Sequence, residues 1–350
     1  MRDMRTALLL LAAVLAGCAA QFPYYDPAVP HRAQPQGFRN TDPDFRRPSF
    51  SDFWTWQWNR LRDGLPRKPE GGWPFPVAPT TVSSAPEPSV TWVGHATVLL
   101  KVGGLAVITD PVFSERASPL GFTGPRRVVP ATPSLEQLPH IDAVLISHNH
   151  YDHLDLESVK RLAAQAGGSP RFYVPLGLKA WFDDQCITEV EELDWWDKRA
   201  LKGLEITLTP VQHWSRRTLT DENQSLWGGW AVRHPALSFF FSGDTGYSSD
   251  FAEIGKRFGA FDLAALPIGA YEPRWFMHAQ HVDPAQAVKM HRDLHAKRSF
   301  GVHWGTFEGL TDEDMDEPPK KLATEAAAAA LKPDEFFVLR HGETRSLSNR

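Results

Sequence analysis

Apolar and polar positions divide the chain near Val90. Beyond it, short apolar runs of strand length alternate with segments of helical period. Val98, Leu99 and Leu100 predict one strand, and Leu105, Val107 and Ile108 a second that ends in Asp110-Pro111. Residues 141–146 and 171–175 predict two more, bounded by turn residues. The runs "LEITLTPVQHWS", "LSFFFSGDTGY" and "KRSFGVHWGTF" each pass from an apolar strand into a polar end, which places His213, Asp244 and His303 just beyond strands. Helical spacing or propensity predicts helices after residue 154 up to Gly167, over 284–295 and over the Ala-rich 318–331. Strand pairs dominate early and helices alternate with strands later. This order predicts an α/β fold of two mixed sheets with helices outside, rather than one doubly wound sheet.

Ahead of Val90 the pattern changes three times. Residues 1–17 carry Arg2 and Arg5 and then an apolar run too short to span a bilayer, the layout of a secretory signal. "LAGC" at 15–18 resembles the bacterial lipoprotein box, so Cys18 is expected to take lipid. With Ala19 rather than Asp after it, the expected location is the outer membrane, facing the periplasm. Residues 18–49 are rich in Pro, Arg and Gln and read as a lipidated N-terminus and tether. Residues 50–89 read as an aromatic helix followed by a wrapping arm. In that helix Phe50, Phe53, Trp54, Trp58 and Leu61 recur at near-helical spacing and Trp56 falls off the stripe. Two readings stay open for it: packing on the main domain, or contact with lipid. The main ordered domain is expected over 90–345.

Composition narrows the picture modestly. At 350 residues and 42% apolar, one layered domain can bury a substantial core. The net charge of −5 gives no argument for nucleic-acid binding. With Cys18 lipidated, Cys186 is the one thiol left, so no internal disulfide is expected. Thirteen tryptophans suit apolar grooves or interfaces as well as ordinary cores, and exposed aromatic surface would serve a homodimer as readily as a bilayer.

The chemistry concentrates in "SHNHYDHLD" at 147–155. His148, His150, Asp152 and His153 lie within six residues, and imidazole and carboxylate are the usual protein ligands of divalent ions. Four such groups form halves of two adjacent metal sites if the remaining donors arrive from distant strand ends. His213, Asp244 and His303 are the candidates. Alone, each has an ordinary reading, as a loop histidine, an Asx-turn former and a core histidine. The coincidence of all three with the dense cluster favours the metal reading.

"HNHYDH" fits the HxHxDH motif of the metallo-β-lactamase fold. The longer stretches "WVGHAT", "ISHNHYDHLD", "YVPLG", "ELDWW", "QHWSRRT", "FSGDTGY", "IGKRFGAFDLAALPIGAYEPRWFM" and "HWGTFE" resemble the N-acyl-phosphatidylethanolamine-hydrolysing phospholipases D over roughly residues 40–345. The resemblance implies an αββα sandwich and two Zn2+ per chain. His148, His150 and His213 would hold one ion, Asp152, His153 and His303 the other, and Asp244 would bridge. Asp152, Asp244 and His281 are the implied catalytic groups. Gln280, His281 and Tyr151 would meet the substrate, and Trp275, Phe276 and Met277 would line an acyl path or pack as loop. His95 and Asp110 would support the ligands from behind. The implied reaction is zinc-dependent release of N-acylethanolamine and phosphatidic acid from a membrane phospholipid, since paired cations neutralise a phosphodiester and acidify water. Another envelope phosphodiesterase or lactonase, or a metal-binding lipoprotein without activity, are the alternatives.

Overall fold

The computed structural model describes residues 22–65, 69–70 and 72–347. Two seven-stranded sheets face each other. The first takes β1 (Ser89–Gly94), β2 (Thr97–Val102), β3 (Leu105–Thr109), β5 (Ala143–Leu145), β6 (Arg171–Pro175), β7 (Val190–Leu193) and β16 (Thr344–Ser346), in the order β16-β1-β2-β3-β5-β6-β7. The second takes β8 (Lys198–Leu201), β9 (Leu204–Thr209), β10 (Gly229–His234), β11 (Leu237–Phe241), β12 (Leu263–Pro267), β13 (Ser299–Val302) and β15 (Phe336–Val338), in the order β15-β13-β12-β11-β10-β9-β8. A two-stranded ribbon pairs β4 (Arg126–Arg127) with β14 (Phe307–Glu308). Each large sheet is antiparallel in one half and parallel in the other: β1, β2 and β3 pair antiparallel before β3, β5, β6 and β7 run parallel. Both sheets are therefore mixed, as the order of apolar runs predicts.

The strands are buried on both faces, and period-two alternation divides their side chains between layers. Val98, Leu100 and Val102 enter the core between the sheets, whereas Leu99 faces outward with Ile108, Val144 and Phe172. That outer face is covered by α2 (Leu156–Ala163) through Val159 and Leu162 and by α3 (Lys179–Asp184) through Phe182. The second sheet is covered by α4 (Asp250–Phe258), α6 (Pro284–Asp293) and α7 (Glu317–Ala328), which bury Phe251, Ile254, Val288 and Leu322. Each such side chain contributes about 1.5–3 kcal/mol when fully buried.

Two N-terminal segments behave unlike their sequence pattern. Residues 22–47 lie against the domain rather than trailing from it: Phe22 and Phe38 are in the main core, and His31 and Arg32 both hold Asp194. The helix α1 (Phe50–Asp63) forms where aromatic spacing predicts it, started by a capping box between Ser49 and Asp52. Its packed face is the reverse of the stripe. Off-stripe Trp56 is the buried residue, stacked on Phe276 of α5 (Arg274–Met277) at 4.8 Å, with its indole N–H donating to Asp312 at 2.7 Å. The stripe itself is open: Phe50 is 72% exposed, Trp54 57%, Trp58 65% and Leu61 77%. No helix among the described residues is long and apolar enough to cross a membrane.

Candidate metal centre

The presumed ligands converge because their strands end at one edge of the sandwich. β5 runs into the 147–153 loop, while β9, β11 and β13 deliver His213, Asp244 and His303. The turns are tight. His95, Asp110 and His303 all adopt positive φ, at 52°, 35° and 61°, a conformation that costs a residue with a Cβ and concentrates at functional sites. Gly243 and Gly246 flank Asp244 for a steric reason. A Cβ on Gly243 would lie 2.5 Å from Ser147 Cβ, and one on Gly246 would lie 2.1 Å from the Ala279 carbonyl oxygen.

Two groups of donors form. His148, His150 and His213 bring one ligand atom each into mutual reach, and so do Asp152, His153 and His303, together with His95. Asp244 stands between them, with carboxylate oxygens 4.0 Å from His148 Nε2, 3.1 Å from His153 Nε2 and 3.1 Å from His303 Nε2. The seven donors read from the sequence thus meet in one place.

Hydrogen bonds behind the rings select the nitrogens that face inward. His213 Nδ1 lies 3.0 Å from the Gln280 carbonyl, which only accepts, so Nδ1 carries the proton and Nε2 presents its lone pair. His153 Nδ1 bonds Asp110 at 2.7 Å. Ser147 donates its hydroxyl to Asp110 at 2.6 Å and so accepts from His148 Nδ1 at 2.9 Å. Nε2 of His148 and His153 is freed in the same way. Such partners orient a ligating imidazole and raise its basicity. Asp110 therefore anchors the cluster from below. His95 Nε2 is already bonded to Asp152 at 3.1 Å, and its peptide oxygen accepts from His303 N–H at 2.9 Å, which makes it a support as well.

Several of the inward atoms lack a hydrogen-bond partner among the described residues. His150 Nε2, His153 Nε2, His303 Nε2 and Asp244 Oδ1 are buried without a hydrogen bond, although His303 Nε2 and Asp244 Oδ1 approach to 3.1 Å. His148 Nε2 and His213 Nε2 both lie within hydrogen-bond distance of His150 Nδ1, at 2.8 and 3.3 Å, where a single ring proton can serve one of them at a time. Burial pushes His150 down to about 3. Burial and the facing His150 ring do the same to His213, and burial with its imidazole neighbours takes His148 well below its ordinary value. All three are neutral, the form that ligates. In the other half, burial opposes charge, yet Asp244 and Asp152 outweigh it and raise His303 to about 9 and His153 well above the usual range. Both carboxylates stay well below theirs despite burial, held by the same two rings. That half favours positive charge, which a divalent ion would supply in place of protons. Neutral nitrogens, carboxylates and orphaned atoms together fit metal.

The cluster forms the floor of a cavity of about 470 Å³. Phe50, Phe53, Trp56, Phe276 and Met277 line one side, and Arg47, Tyr151, Trp214 and Arg216 also border it. Gln280 and His281 border it too. Gln280 Oε1 and His281 Nδ1 are buried and unpartnered, and His281 Nδ1 lies 3.8 Å from Asp244. Tyr151 reaches the cavity with its ring, but its hydroxyl is committed to the Arg217 carbonyl at 2.9 Å. Trp275 is 46% exposed and lies outside the lining, unlike its neighbours Phe276 and Met277.

Two contributions escaped the sequence reading, both from the supposed tether. Asn40 clamps the backbone of His213, accepting its N–H at 3.0 Å and donating to its carbonyl at 2.8 Å. Arg47 lies over Trp214 at 4.2 Å and joins the cavity wall. Neither sits in a periodic segment, so pattern offered no signal for them.

Comparison with known proteins follows the same lines. A sequence model of the β-lactamase superfamily domain matches residues 106–304. An N-acyl-phosphatidylethanolamine-hydrolysing phospholipase D 1 of Caenorhabditis elegans is 43% identical over 271 residues, covering 74% of this chain and 76% of that one. A mitochondrial phospholipase of the same name from Saccharomyces cerevisiae is 38% identical over 73% of this chain and 55% of its own. Igni18, a metallo hydrolase from Ignicoccus hospitalis, superposes with a TM-score of 0.55 at 23% identity, over 73% of this chain and 97% of that one. The two phospholipases correct the expected location: both are eukaryotic and one is mitochondrial, so the outer-membrane lipoprotein assignment is withdrawn. Cys18 and residues 1–17, on which it rested, lie outside the described residues. A metal-competent cluster at the edge of two mixed sheets, and this degree of identity across most of the chain, lead to one conclusion: the protein is a metal-dependent hydrolase of the metallo-β-lactamase superfamily and belongs to its N-acyl-phosphatidylethanolamine-hydrolysing phospholipase D family.

Proposed function

We propose that the enzyme is a zinc phospholipase D that hydrolyses N-acyl-phosphatidylethanolamine to phosphatidic acid and N-acylethanolamine. The observation that carries this reading is the floor of buried, unpartnered donors beneath a cavity with an aromatic side. His148, His150 and His213 would hold one zinc ion, Asp152, His153 and His303 a second, with Asp244 shared. When bound there, the ions neutralise phosphate charge and lower the pKa of water. The protein's own groups do the rest. Asp110, Asn40 and the Gln280 carbonyl hold the ligands in position. His281, with Nδ1 unpartnered at the cavity edge, hydrogen-bonds a phosphate or leaving oxygen, and the amide of Gln280 lies beside it. Phe53, Trp56 and Phe276 exclude water from the apolar side. In the net reaction a water oxygen adds to phosphorus, the bond from phosphorus to the ethanolamine oxygen breaks, and that oxygen takes a proton.

Mass spectrometry of mixed phospholipids incubated with the metal-loaded enzyme tests the bond assignment. Phosphatidic acid and N-acylethanolamine should appear together in equal amounts. Release of N-acylphosphoethanolamine or free fatty acid would overturn it.

The partner proposed for the open face of α1 is a phospholipid surface. Phe50 belongs both to that face and to the cavity, so a bilayer meeting Trp54, Trp58 and Leu61 would lie at the cavity mouth. Tryptophan suits such a boundary because its ring is apolar and its N–H polar. A Trp54→Ser, Trp58→Ser double variant is expected to lower partitioning onto phosphatidylcholine vesicles at least about tenfold, as loss of two buried aromatic rings implies. Unchanged co-sedimentation would remove the lipid role. A particle mass in solution that falls from two chains to one in the variant would assign the face to a homodimer instead.

A further inference from the structure

Two arginines follow His213 in "QHWSRRT". Arg216 borders the cavity, 5.4 Å from the Trp214 ring. Arg217 reaches the loop that carries His148, His150, Asp152 and His153. Its Nη1 donates to the Asn149 carbonyl at 2.9 Å and to the Leu154 carbonyl at 2.8 Å. Asn149 and Leu154 are buried and stand on either side of residues 150–153. Between them the chain makes a tight turn, in which His153 and Leu154 N–H both donate to the His150 carbonyl, at 3.0 and 2.8 Å. One guanidinium nitrogen thus ties together the two ends of the segment that supplies three of the presumed ligands.

The grip is reciprocal. The Tyr151 hydroxyl donates to the Arg217 carbonyl at 2.9 Å, and the guanidinium lies 4.1 Å from the Tyr151 ring centroid and 5.0 Å from that of Trp181. The backbone at Arg217 is fixed in turn by Asp221, whose carboxylate accepts the N–H of Arg217 at 3.0 Å and that of Thr218 at 2.7 Å. Hydrogen bonds from a charged donor are stronger than neutral ones, and here both go to peptide oxygens of the ligand loop. Donors must be held within about 0.5 Å of a productive geometry to share an ion. The loop and the His213 segment come from different strands, so some contact has to set their separation. We propose that Arg217 is a positioning residue of the metal centre: it fixes residues 150–153 against the segment that carries His213. His150 serves one triad, and Asp152 and His153 serve the other, so this one side chain sets the fit of both. Asn40, by contrast, holds His213 alone. The assignment rests on the metal reading of the cluster and not on which bond of the substrate is cleaved.

Competition for Zn2+ between metal-free protein and a chromophoric chelator, run well below the melting transition, tests it. Arg217→Met keeps most of the apolar stem and removes the donor. Zn2+ affinity should fall about tenfold to a hundredfold at both sites, the range for residues that orient a ligand from behind. Arg217→Lys, whose ammonium can donate to both carbonyls, should recover part of the loss. Val159→Ala opens a void under α2, lowers stability without touching the loop, and should leave the affinities unchanged. The visible spectrum of Co2+-loaded protein, which reads ligand geometry, should shift in Arg217→Met and not in Val159→Ala. Asp221→Ala loosens the backbone at Arg217 and should weaken Zn2+ about threefold, so it reads the clamp even where Arg217→Met does not fold. Unchanged affinity in either the Arg217→Met or the Asp221→Ala protein, or a loss no greater than that of Val159→Ala, would overturn the assignment. Failure of the unaltered protein to bind Zn2+ would instead overturn the metal reading, and the clamp with it.

Discussion

Asp244→Asn is expected to empty the cluster of metal and to lower turnover at least about a thousandfold, equivalent to about 4 kcal/mol of transition-state stabilisation. The substitution is nearly isosteric, so its effect comes from charge and from donor type. Asp244 is the group within reach of both triads, 4.0 Å from His148 and 3.1 Å from His153 and His303. Asparagine keeps one oxygen acceptor and puts an N–H2 where the second lone pair was, facing imidazole nitrogens that want a cation. It also removes the negative charge that draws positive charge into the second half of the site. His213→Ala removes a donor from one triad alone and should cost less metal. Metal content by mass spectrometry of dialysed protein, measured beside turnover, checks both. Stoichiometric metal with ordinary turnover in Asp244→Asn would sink the shared-ligand arrangement.

Asn40→Ala should weaken metal binding about tenfold to a hundredfold, the range for residues that orient a ligand without touching the metal. Asn40 holds His213 by both backbone groups and accepts at 3.2 Å from the indole N–H of Trp227. Alanine leaves buried His213 N–H and carbonyl groups without these partners, a cost of about 1–3 kcal/mol each where water cannot replace them. A fall in melting temperature alone would describe a structural asparagine. The positioning role requires weaker metal affinity measured well below the melting transition. Asn40→Asp should recover part of it, because a carboxylate still accepts from His213 N–H but cannot donate to the carbonyl.

The helix α1 marks where sequence pattern stops informing. Near-helical recurrence of Phe50, Phe53, Trp54, Trp58 and Leu61 revealed an aromatic helix, and Ser49 with Asp52 starts it. The pattern does not say which face meets protein. Trp56 packs because Phe276 and Met277 come to it from residues more than two hundred positions away, with Asp312 present to accept its N–H. An apolar stripe reads the same whether its partner is the core or something outside the chain.

The metal cluster was legible for a different reason. Four of its donors lie within six residues, a density that ordinary loops lack, and the other three each end an apolar strand. Local order therefore determined the ligand types, the strand ends that carry them and the two mixed sheets. Only the tertiary structure decided which nitrogen His148, His153 and His213 turn inward, since that depends on Asp110, Ser147 and the Gln280 carbonyl. It also decided that the Pro- and Arg-rich arm carries Asn40 to His213. Those contacts join segments far apart in the chain and leave no periodic trace, because a hydrogen bond to a backbone group constrains where one residue sits and nothing about its neighbours in sequence.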